Sequence, residues 1–438
     1  MAFSGTRRLV GLGFGAIQAG LFVYEAQQTG VYAPPLVVDV RADLVAGVRA
    51  AGGRFRVNVA RSDRIDVAEL GPVHIADSSF AEGRARIAEA IAVADELCTA
   101  LPSVAFYRTE SPNSPHLLLA TALQARTASH PLMVFCAENH RSAAALLGEA
   151  VLDVVEAGQR DLVRARVRFA DTVIGKMSGV VGDATEIAAL GLATVTPESS
   201  WAFLVEEFDR ILVSRVDAIG GTDALHPGLA VLREVDDLAP FEDAKLLGHN
   251  ATHALAGFLG ARLGLRLVAD LCGVPGAPDF LRAAFIEESG RALIARHAGV
   301  DPLFTPEGFA EFADDLLARM VNPFLADTIE RAARDPRRKL AWDDRLIGLI
   351  RVGMAEGVPM PRYSMGVAAS LETLRSAAAR GGASTRGGAS ADLELLASCW
   401  PPDVDPGEAQ SVLGAVARGI KLLGRWRRDG FVGLRLDL

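Results

Sequence analysis

The stretch that decides the fold is residues 8–20, RLVGLGFGAIQAG, in which a short apolar segment runs into closely spaced glycines. Residues 9–12 are apolar and favour a buried strand. The glycines that follow, Gly13, Gly15 and Gly20, suit a turn from that strand into a helix. One glycine allows a sharp turn, and the next lets the backbone approach an anion at the positive end of the helix. The stretch therefore predicts a dinucleotide-binding turn, although such glycines also serve close packing of a helix on a strand.

The same segment also resembles a twin-arginine signal peptide, because Arg7 and Arg8 precede an apolar run. The spaced glycines, the polar Gln18 and a second apolar strand at residues 36–40 favour the turn instead. Charges or prolines interrupt every other segment before it reaches the roughly 20 apolar residues that cross a bilayer. We therefore expect a cytoplasmic protein without a membrane partner.

The second apolar strand, residues 36–40 (LVVDV), places a carboxylate at Asp39. Folds with such a turn carry an acidic residue near this point to accept hydrogen bonds from the adenosine ribose. A carboxylate there repels a 2′-phosphate, so the sequence favours NAD over NADP, and Arg41 weakens that preference slightly. The simpler alternative is that Asp39 is a solvated strand end.

Length and pattern indicate two domains. The chain has 438 residues, of which 50% are hydrophobic. Its first half alternates strands with helices at 80–100 and 141–157, which predicts an α/β, Rossmann-type doubly wound sheet. Its second half is mostly helical, so we expect an NAD-binding domain over residues 1–225 and a helical substrate domain over 226–438. A Gly- and Ser-rich loop is expected at residues 380–390. Predicted strands of the first domain are residues 8–13, 36–40, 103–107, 132–136 and 166–170, and predicted helices of the second are 244–263, 278–297, 305–320, 323–334 and 343–356.

Charge and cysteine usage exclude several classes of protein. Lys and Arg number 45 against 54 Asp and Glu, a net charge of -9, which argues against nucleic-acid binding. The four cysteines are scattered singly without a zinc-site spacing, so we expect reduced thiols and no metal.

The predicted helix near residues 243–263 carries four polar residues among apolar ones. They are Lys245, His249, Asn250 and His253. At about 100° per residue these side chains fall within an arc of roughly 140°, so all four can face one cleft. A desolvated lysine loses its proton readily and can act as a general base. The alternative is an ordinary solvated helix face.

A second polar cluster follows the predicted strand at 132–136. In an open α/β sheet, ligands bind outside the carboxyl ends of the strands, where Glu138 and Asn139 lie. The Asn139 amide can donate a hydrogen bond to an oxygen that gains charge in a transition state. Alternatively, both residues form a helix cap.

At these residues the chain resembles the polyol-specific long-chain dehydrogenases, most closely their mannitol-1-phosphate 5-dehydrogenase branch. The turn at residues 13–20 resembles the family's GxGxIxxG, and residues 138–139 resemble the end of its Cys-Glu-Asn turn. The most specific match is KLLGHNATHA at residues 245–254, which is similar to the family's K-x4-N-x2-H helix. Residues 322–327 (NPFLAD), followed by RRKL at 337–340 and DRLI at 344–347, resemble the NPxLxD, RKL and DRLI run of the branch.

The resemblance implies a metal-independent, NAD-dependent secondary alcohol dehydrogenase whose partner is a small polyol or polyol phosphate. Lys245 would be the general base, Asn139 and Asn250 would hold the reacting oxygen, and His253 would orient the substrate. Arg319 and His249 would contact the substrate, with a surface helix arginine as the alternative for Arg319. The residues expected to bind the cofactor are Gly13, Phe14, Gly15, Ala16, Ile17, Gly20, Asp39 and Glu138.

The expected reaction interconverts mannitol 1-phosphate and fructose 6-phosphate. Ala16 and Ala19 stand where the family usually has Asn and Arg, which leaves the substrate open. A non-phosphorylated polyol dehydrogenase and a uronate reductase are the alternatives within the family. A non-catalytic NAD-binding sensor is the alternative outside the enzyme class.

Overall fold

The computed structural model describes residues 6–207, 210–215, 226–380 and 388–437. It divides into two compact units, residues 1–239 and residues 240–438. The boundary that we predicted near residue 225 lies outside the described residues. No helix in the described part of the chain is long and apolar enough to span a membrane.

Within the described residues, the first unit contains twelve strands in two sheets. Six neighbouring strands of the larger sheet, in the order β5-β2-β1-β6-β7-β8, are all parallel. This is the order of a doubly wound dinucleotide-binding sheet, which confirms the predicted fold class. β11 pairs antiparallel with β8, and β12 extends the sheet parallel to β11. The strands are β1 (Leu9–Leu12), β2 (Leu36–Asp39), β3 (Phe55–Ala60), β4 (Ile65–Leu70), β5 (His74–Asp77), β6 (Glu96–Thr99), β7 (Leu132–Cys136), β8 (Val167–Val173), β9 (Ser178–Val181), β10 (Ala202–Glu206), β11 (Ile211–Ser214) and β12 (Leu232–Val235).

Helices connect these strands. They are α1 (Tyr24–Thr29), α2 (Ala42–Ala50), α3 (Ala81–Val93), α4 (Pro115–Ala125), α5 (Ala143–Val154), α6 (Arg160–Arg166) and α7 (Ala184–Leu190). A π-helical segment, Gln18–Val23, precedes α1, and short 3-10 segments lie at Val104–Tyr107 and Ala157–Gln159. The β1 strand therefore turns directly into a helix, as the glycine pattern predicts.

One strand lies where the sequence predicted helix. Residues 80–100 were expected to be helical and residues 103–107 a strand, but α3 ends at Val93 and the strand is β6, Glu96–Thr99. The α3 helix ends where the buried guanidinium of Arg126 donates hydrogen bonds to the backbone carbonyls of Ile91, Ala92 and Ala94. These bonds satisfy carbonyl groups that a helix end leaves without partners.

The smaller sheet, in the order β4-β3-β10-β9, packs against the glycine turn. Phe14 is fully buried, and its ring lies edge-on to Phe55 of β3 and Phe203 of β10, with centroid distances of 5.0 and 5.8 Å. Gly20 faces Val205 of β10, and a Cβ on Gly20 would lie 2.7 Å from a Val205 methyl group. The small sheet thus fixes the position of the turn through aromatic and close backbone packing.

The second unit is helical in its described residues and has its own core. An α-helix, a π-helical segment and a second α-helix follow one another without a break as Ala239–Asp243, Ala244–His249 and Asn250–Arg262. The predicted helix at 278–297 is present as three consecutive helical segments over residues 277–296. The predicted helices at 305–320 and 343–356 are present with shorter bounds, whereas residues 323–334 form a 3-10 turn and one short helix. The expected loop at 380–390 falls largely outside the described residues. The helices are α8 (Ala239–Asp243), α9 (Asn250–Arg262), α10 (Ala277–Ala283), α11 (Arg291–Arg296), α12 (Pro306–Met320), α13 (Ile329–Ala333), α14 (Pro336–Lys339), α15 (Ile347–Ala355), α16 (Pro361–Arg380), α17 (Ala389–Ala397) and α18 (Pro406–Asp429), with π-helical segments at Ala244–His249 and Ala284–Gly290 and 3-10 segments at Val268–Gly273, Pro302–Phe304 and Pro323–Leu325.

Candidate active site

The first unit contains a cavity of about 560 Å³ at the carboxyl ends of β1, β2 and β6. Its lining includes residues 12–17 of the glycine turn, residues 38–41 after β2 and residues 100–102 after β6. Gly13 has φ 87°, and a Cβ there would lie 2.7 Å from the carbonyl oxygen of Ala100, so the turn requires glycine. A Cβ on Gly15 would meet nothing within 4 Å, which leaves space for a ligand to approach the backbone.

The carboxylate of Asp39 lies in this cavity and is already hydrogen-bonded. Its Oδ2 accepts from the Phe14 backbone N–H at 3.1 Å, so the carboxylate connects β2 to the glycine turn. The Arg41 guanidinium donates to both carboxylate oxygens, at 3.0 Å each. Arg41 also donates to the Phe14 carbonyl oxygen at 2.9 Å. The simple picture of a solvated strand end does not describe Asp39, which is 9% exposed.

Two residues expected at the cofactor lie outside the cavity lining. Gly20 packs against Val205, as described above. Glu138 is buried, and its carboxylate accepts hydrogen bonds from the Thr99 hydroxyl and the Leu101 N–H at 2.8 Å and from the Tyr107 hydroxyl. Burial raises the pKa of Glu138, and the hydrogen bonds oppose that rise. Its observed contacts hold the loop after β6, which lines the cavity.

Asn139 follows β7 and is exposed. It lies one residue beyond the buried Glu138, outside the cavity lining. Its role in holding a reacting oxygen stays a prediction of the family resemblance.

In the second unit, Lys245 lies in the π-helical segment Ala244–His249 and is half-buried. Burial lowers the pKa of Lys245 to about 8; the Glu242 carboxylate opposes the shift and the Arg345 guanidinium adds to it. A neutral amine is therefore accessible near neutral pH, as a general base requires. Single π-helical turns inside α-helices are frequent at functional sites.

The other three polar residues of the predicted arc lie on the next turns. The rings of His249 and His253 are 6.3 Å apart. Burial holds the pKa of His249 well below its usual value, and electrostatic interactions with the His253 ring and the Arg319 guanidinium lower it further. Asn250 begins α9 and is half-buried. Lys245, His249 and His253 thus interact with one another, and the arc is not a solvated face. These three residues and Asn250 form the Lys245 cluster.

Arg319 lies on α12, and its guanidinium donates to Asp315 at 3.1 Å. Its side chain is only 18% exposed, and its charge acts on His249. Arg319 therefore belongs electrostatically to the Lys245 cluster.

The sequence analysis assigned no role to three further polar residues of the second unit. Asp327 accepts a hydrogen bond from His253 Nε2 at 2.6 Å and lies 74 positions away in the chain. Arg345 and Lys339 are buried cations in the same unit. Asp327 and Arg345 belong to the runs that resemble the family's NPxLxD and DRLI motifs, and this match is the sequence signal that could have identified them. Among the described residues, no group of three or more His, Cys, Asp and Glu side chains could hold a metal ion.

Comparison with known proteins places these features in a family. Residues 237–383 match the model of the mannitol dehydrogenase C-terminal domain, and these residues include the whole Lys245 cluster. A mannitol-1-phosphate 5-dehydrogenase from Brevibacillus brevis is 28% identical over 343 residues, covering 76% of this chain and 78% of that protein. The chain is similar to polyol dehydrogenases over most of its length, and its C-terminal part matches their domain model. The expected resemblance and fold are confirmed, and with them the expected class, an oxidoreductase.

Further comparisons agree with this similarity. A mannitol-1-phosphate 5-dehydrogenase from Bacillus velezensis is 27% identical over 232 residues, 52% of this chain and 55% of that protein. The fold matches a Pseudomonas fluorescens mannitol 2-dehydrogenase, solved with NAD and D-mannitol, with a TM-score of 0.69 at 16% identity over 98% of this chain and 93% of that one. It matches a D-sorbitol dehydrogenase with a TM-score of 0.73 at 15% identity over 98% of this chain and 94% of the other.

Proposed function

We propose that this protein is an NAD-dependent dehydrogenase that interconverts mannitol 1-phosphate and fructose 6-phosphate. The observation that carries the proposal is Lys245, a half-buried lysine whose pKa is lowered to about 8 beside His249 and His253. It stands in the part of the chain that matches the mannitol dehydrogenase C-terminal domain. The names of the relatives supply mannitol 1-phosphate and the position oxidised, carbon 5, and oxidation there gives fructose 6-phosphate.

The cavity of the first unit suits NAD. Gly13 allows the turn, Gly15 leaves space for close approach of a pyrophosphate, and the helix that follows them presents its N-terminal end. Asp39 lines the same cavity and would accept hydrogen bonds from ribose hydroxyls. When bound, NAD supplies the acceptor for the hydride that leaves the alcohol carbon.

Lys245 would take the proton of the substrate hydroxyl. With a pKa of about 8, roughly half of the molecules carry the neutral amine at pH 8 and about a tenth at pH 7. In the reverse direction the ammonium group would return the proton to the ketose oxygen. Asn250 and His253 would bind substrate hydroxyl groups, which fixes the alcohol relative to the base.

Two buried cations of the second unit, of which Arg345 interacts electrostatically with Lys245, support a phosphorylated substrate. The Arg345 side chain is 10% exposed and pairs with Asp344 at 2.7 Å. Lys339 is 4% exposed, donates to the Ala332 carbonyl oxygen at 2.6 Å, and its pKa is lowered to about 8 by burial and by Arg345. Arg345 is thus within electrostatic range of both lysines. We assign Arg345 as the first candidate for contact with the substrate phosphate.

The alternative is a polyol without phosphate, such as the mannitol in the complex whose fold this chain shares. Absorbance of NADH, measured with mannitol 1-phosphate, fructose 6-phosphate, mannitol and fructuronate side by side, separates the candidates. We expect the highest kcat/KM with the phosphorylated pair. Arg345→Gln should raise KM for mannitol 1-phosphate and leave KM for mannitol nearly unchanged.

A higher kcat/KM with mannitol would replace the proposed substrate by the non-phosphorylated one. Faster reduction of fructuronate would favour the uronate reductase. Turnover of none of the four by a protein that binds NAD would favour the sensor.

A further inference from the structure

The carboxylate of Asp327 is buried and hydrogen-bonded to the proposed catalytic helix. Its side chain is 2% exposed. Oδ2 accepts from His253 Nε2 at 2.6 Å, and Oδ1 accepts from Arg331 Nε at 2.7 Å. Each carboxylate oxygen therefore has its own cationic or polar partner.

The backbone around Asp327 is fixed as well. Its carbonyl oxygen accepts from the Val268 N–H at 2.8 Å, and the adjacent Thr328 pairs with Leu267. Ala326, immediately before it, has φ 47°, a left-handed conformation that costs energy for a residue with a Cβ. The surrounding contacts hold the chain in this turn, so the position of the carboxylate does not depend on its side-chain partners alone.

A buried carboxylate in this setting stays ionised. Burial by itself raises the pKa of Asp327, but hydrogen bonds from His253 and Arg331 outweigh it and leave the pKa below its usual value. An ionised carboxylate can only accept hydrogen bonds, so the Nε2 atom of His253 must carry the proton that lies between them.

We propose that Asp327 is a positioning residue for His253, which it holds with Nε2 protonated so that Nδ1 is the nitrogen that hydrogen-bonds the substrate. The role of the substrate in this statement rests on the proposed function. A carboxylate that fixes the ring orientation and the tautomer of a histidine is a general device in histidine sites. The exposed fraction of the His253 side chain, 16%, leaves part of the ring accessible to a ligand.

The first test measures the tautomer directly. Histidine ¹⁵N chemical shifts of the full-length protein, with the His253 signals identified by their loss in His253→Gln, report which ring nitrogen carries the proton. We expect Nε2 to be protonated in the wild type. A wild-type ring protonated only at Nδ1 would overturn the proposal. This measurement needs no turnover, so it stands even if no polyol is oxidised and the proposed function fails.

The second test uses a matched pair of variants on one carboxylate. Asp327→Asn keeps the shape but lets an amide N–H face Nε2, so we expect the protonated nitrogen to switch and kcat/KM for the polyol to fall about 10- to 100-fold. Arg331→Gln removes the other partner and should change kcat/KM only a few-fold, with the tautomer unchanged. Both variants should bind NAD with nearly wild-type affinity.

Equal losses in the two variants would indicate a structural role and would contradict the proposal. Wild-type kcat/KM in a folded Asp327→Asn protein would contradict it as well. If Asp327→Asn does not fold, the tautomer of His253 in the wild type and in Arg331→Gln still tests the proposal.

Discussion

At the scale of single residues, the Asp39 carboxylate serves two partners. It accepts from the Phe14 N–H and from the Arg41 guanidinium, which itself lies 5.9 Å from the centre of the Trp201 ring. Ribose hydroxyls at this carboxylate would share it with Arg41. A 2′-phosphate that approached Asp39 would also meet this guanidinium, so Arg41 would reduce the preference for NAD over NADP that Asp39 imposes.

We predict that NAD binds more tightly than NADP, and that Arg41→Gln weakens NADP binding more than NAD binding. The reason is that Arg41 supplies the positive charge that offsets Asp39. Fluorescence titration with both cofactors measures the four dissociation constants. Arg49→Gln is the matched control, because Arg49 donates to the Ile75 carbonyl oxygen outside the cavity lining. Equal or tighter binding of NADP to the wild type would refute the assignment of Asp39.

The lowered pKa of Lys245 predicts the pH dependence of the reaction. Below about pH 8 the lysine is protonated and cannot accept a proton, so the oxidation rate should fall toward tenfold per pH unit and should level off above about pH 8. The reduction rate should fall above that pH, because the ammonium form is then lost. Rates measured in both directions between about pH 6 and pH 10 check this; a flat oxidation profile across that range would exclude Lys245 as the base.

At the scale of elements, the sequence predicts the strands that begin at an apolar run and end at a turn. It does not predict β3, β4 and β5, and it assigns β6 to a helix, because Glu96 makes that strand look like the end of the preceding helix. The Glu96 carboxylate is 1% exposed and accepts from Arg7 at 2.5 Å and from the Gly228 N–H at 2.6 Å. These partners are 89 and 132 positions away, so no local pattern reveals that this glutamate is buried.

The candidate site shows the same limit. Helical spacing was enough to group Lys245 with His249 and His253, because all three lie on one continuous helical run. Glu138 was expected at the cofactor, but its carboxylate bonds to Thr99 and the loop after β6. Asp327 received no role, because its partner His253 is distant in sequence. Local periodicity finds residues on one element, whereas pairs across elements require the fold.

The contact between α9 and α13 gives a prediction about stability. A Cβ on Gly257 would lie 2.7 Å from the backbone of Ala332, so Gly257→Ala should lower the free energy of unfolding by about 1 to 3 kcal/mol. Gly424→Ala in α18 is the matched control, because a Cβ there meets nothing within 4 Å. It should raise stability by about 0.5 to 1 kcal/mol, since alanine favours a helix over glycine. Urea unfolding measures both; a stabilising Gly257→Ala would contradict the observed packing.

At the scale of the whole molecule, the proposed cofactor site and the proposed catalytic cluster belong to separate units. The cavity with the glycine turn lies in residues 1–239, and the Lys245 cluster lies in residues 240–438. The match to the mannitol dehydrogenase C-terminal domain covers residues 237–383. The assignment of the cofactor site in the first unit therefore depends on the geometry of its cavity.

We predict that NAD slows hydrogen exchange in peptides covering residues 12–17, 38–41 and 178–180, because these residues line the cavity of the first unit. The last of these ranges belongs to β9 of the smaller sheet, which was not expected at the cofactor. Mass spectrometry with and without NAD gives the map, with α18 as the internal control. Unchanged exchange in all three ranges at saturating NAD would place the cofactor elsewhere.

The most direct test of the central claim is the turnover of Lys245→Ala alongside its affinity for NAD. Because the lysine belongs to the second unit and the dinucleotide cavity to the first, we predict that kcat falls by about 10²- to 10⁴-fold while the dissociation constant of NAD changes little. A folded Lys245→Ala protein that binds NAD and still oxidises its polyol within a few-fold of the wild-type rate would contradict the account.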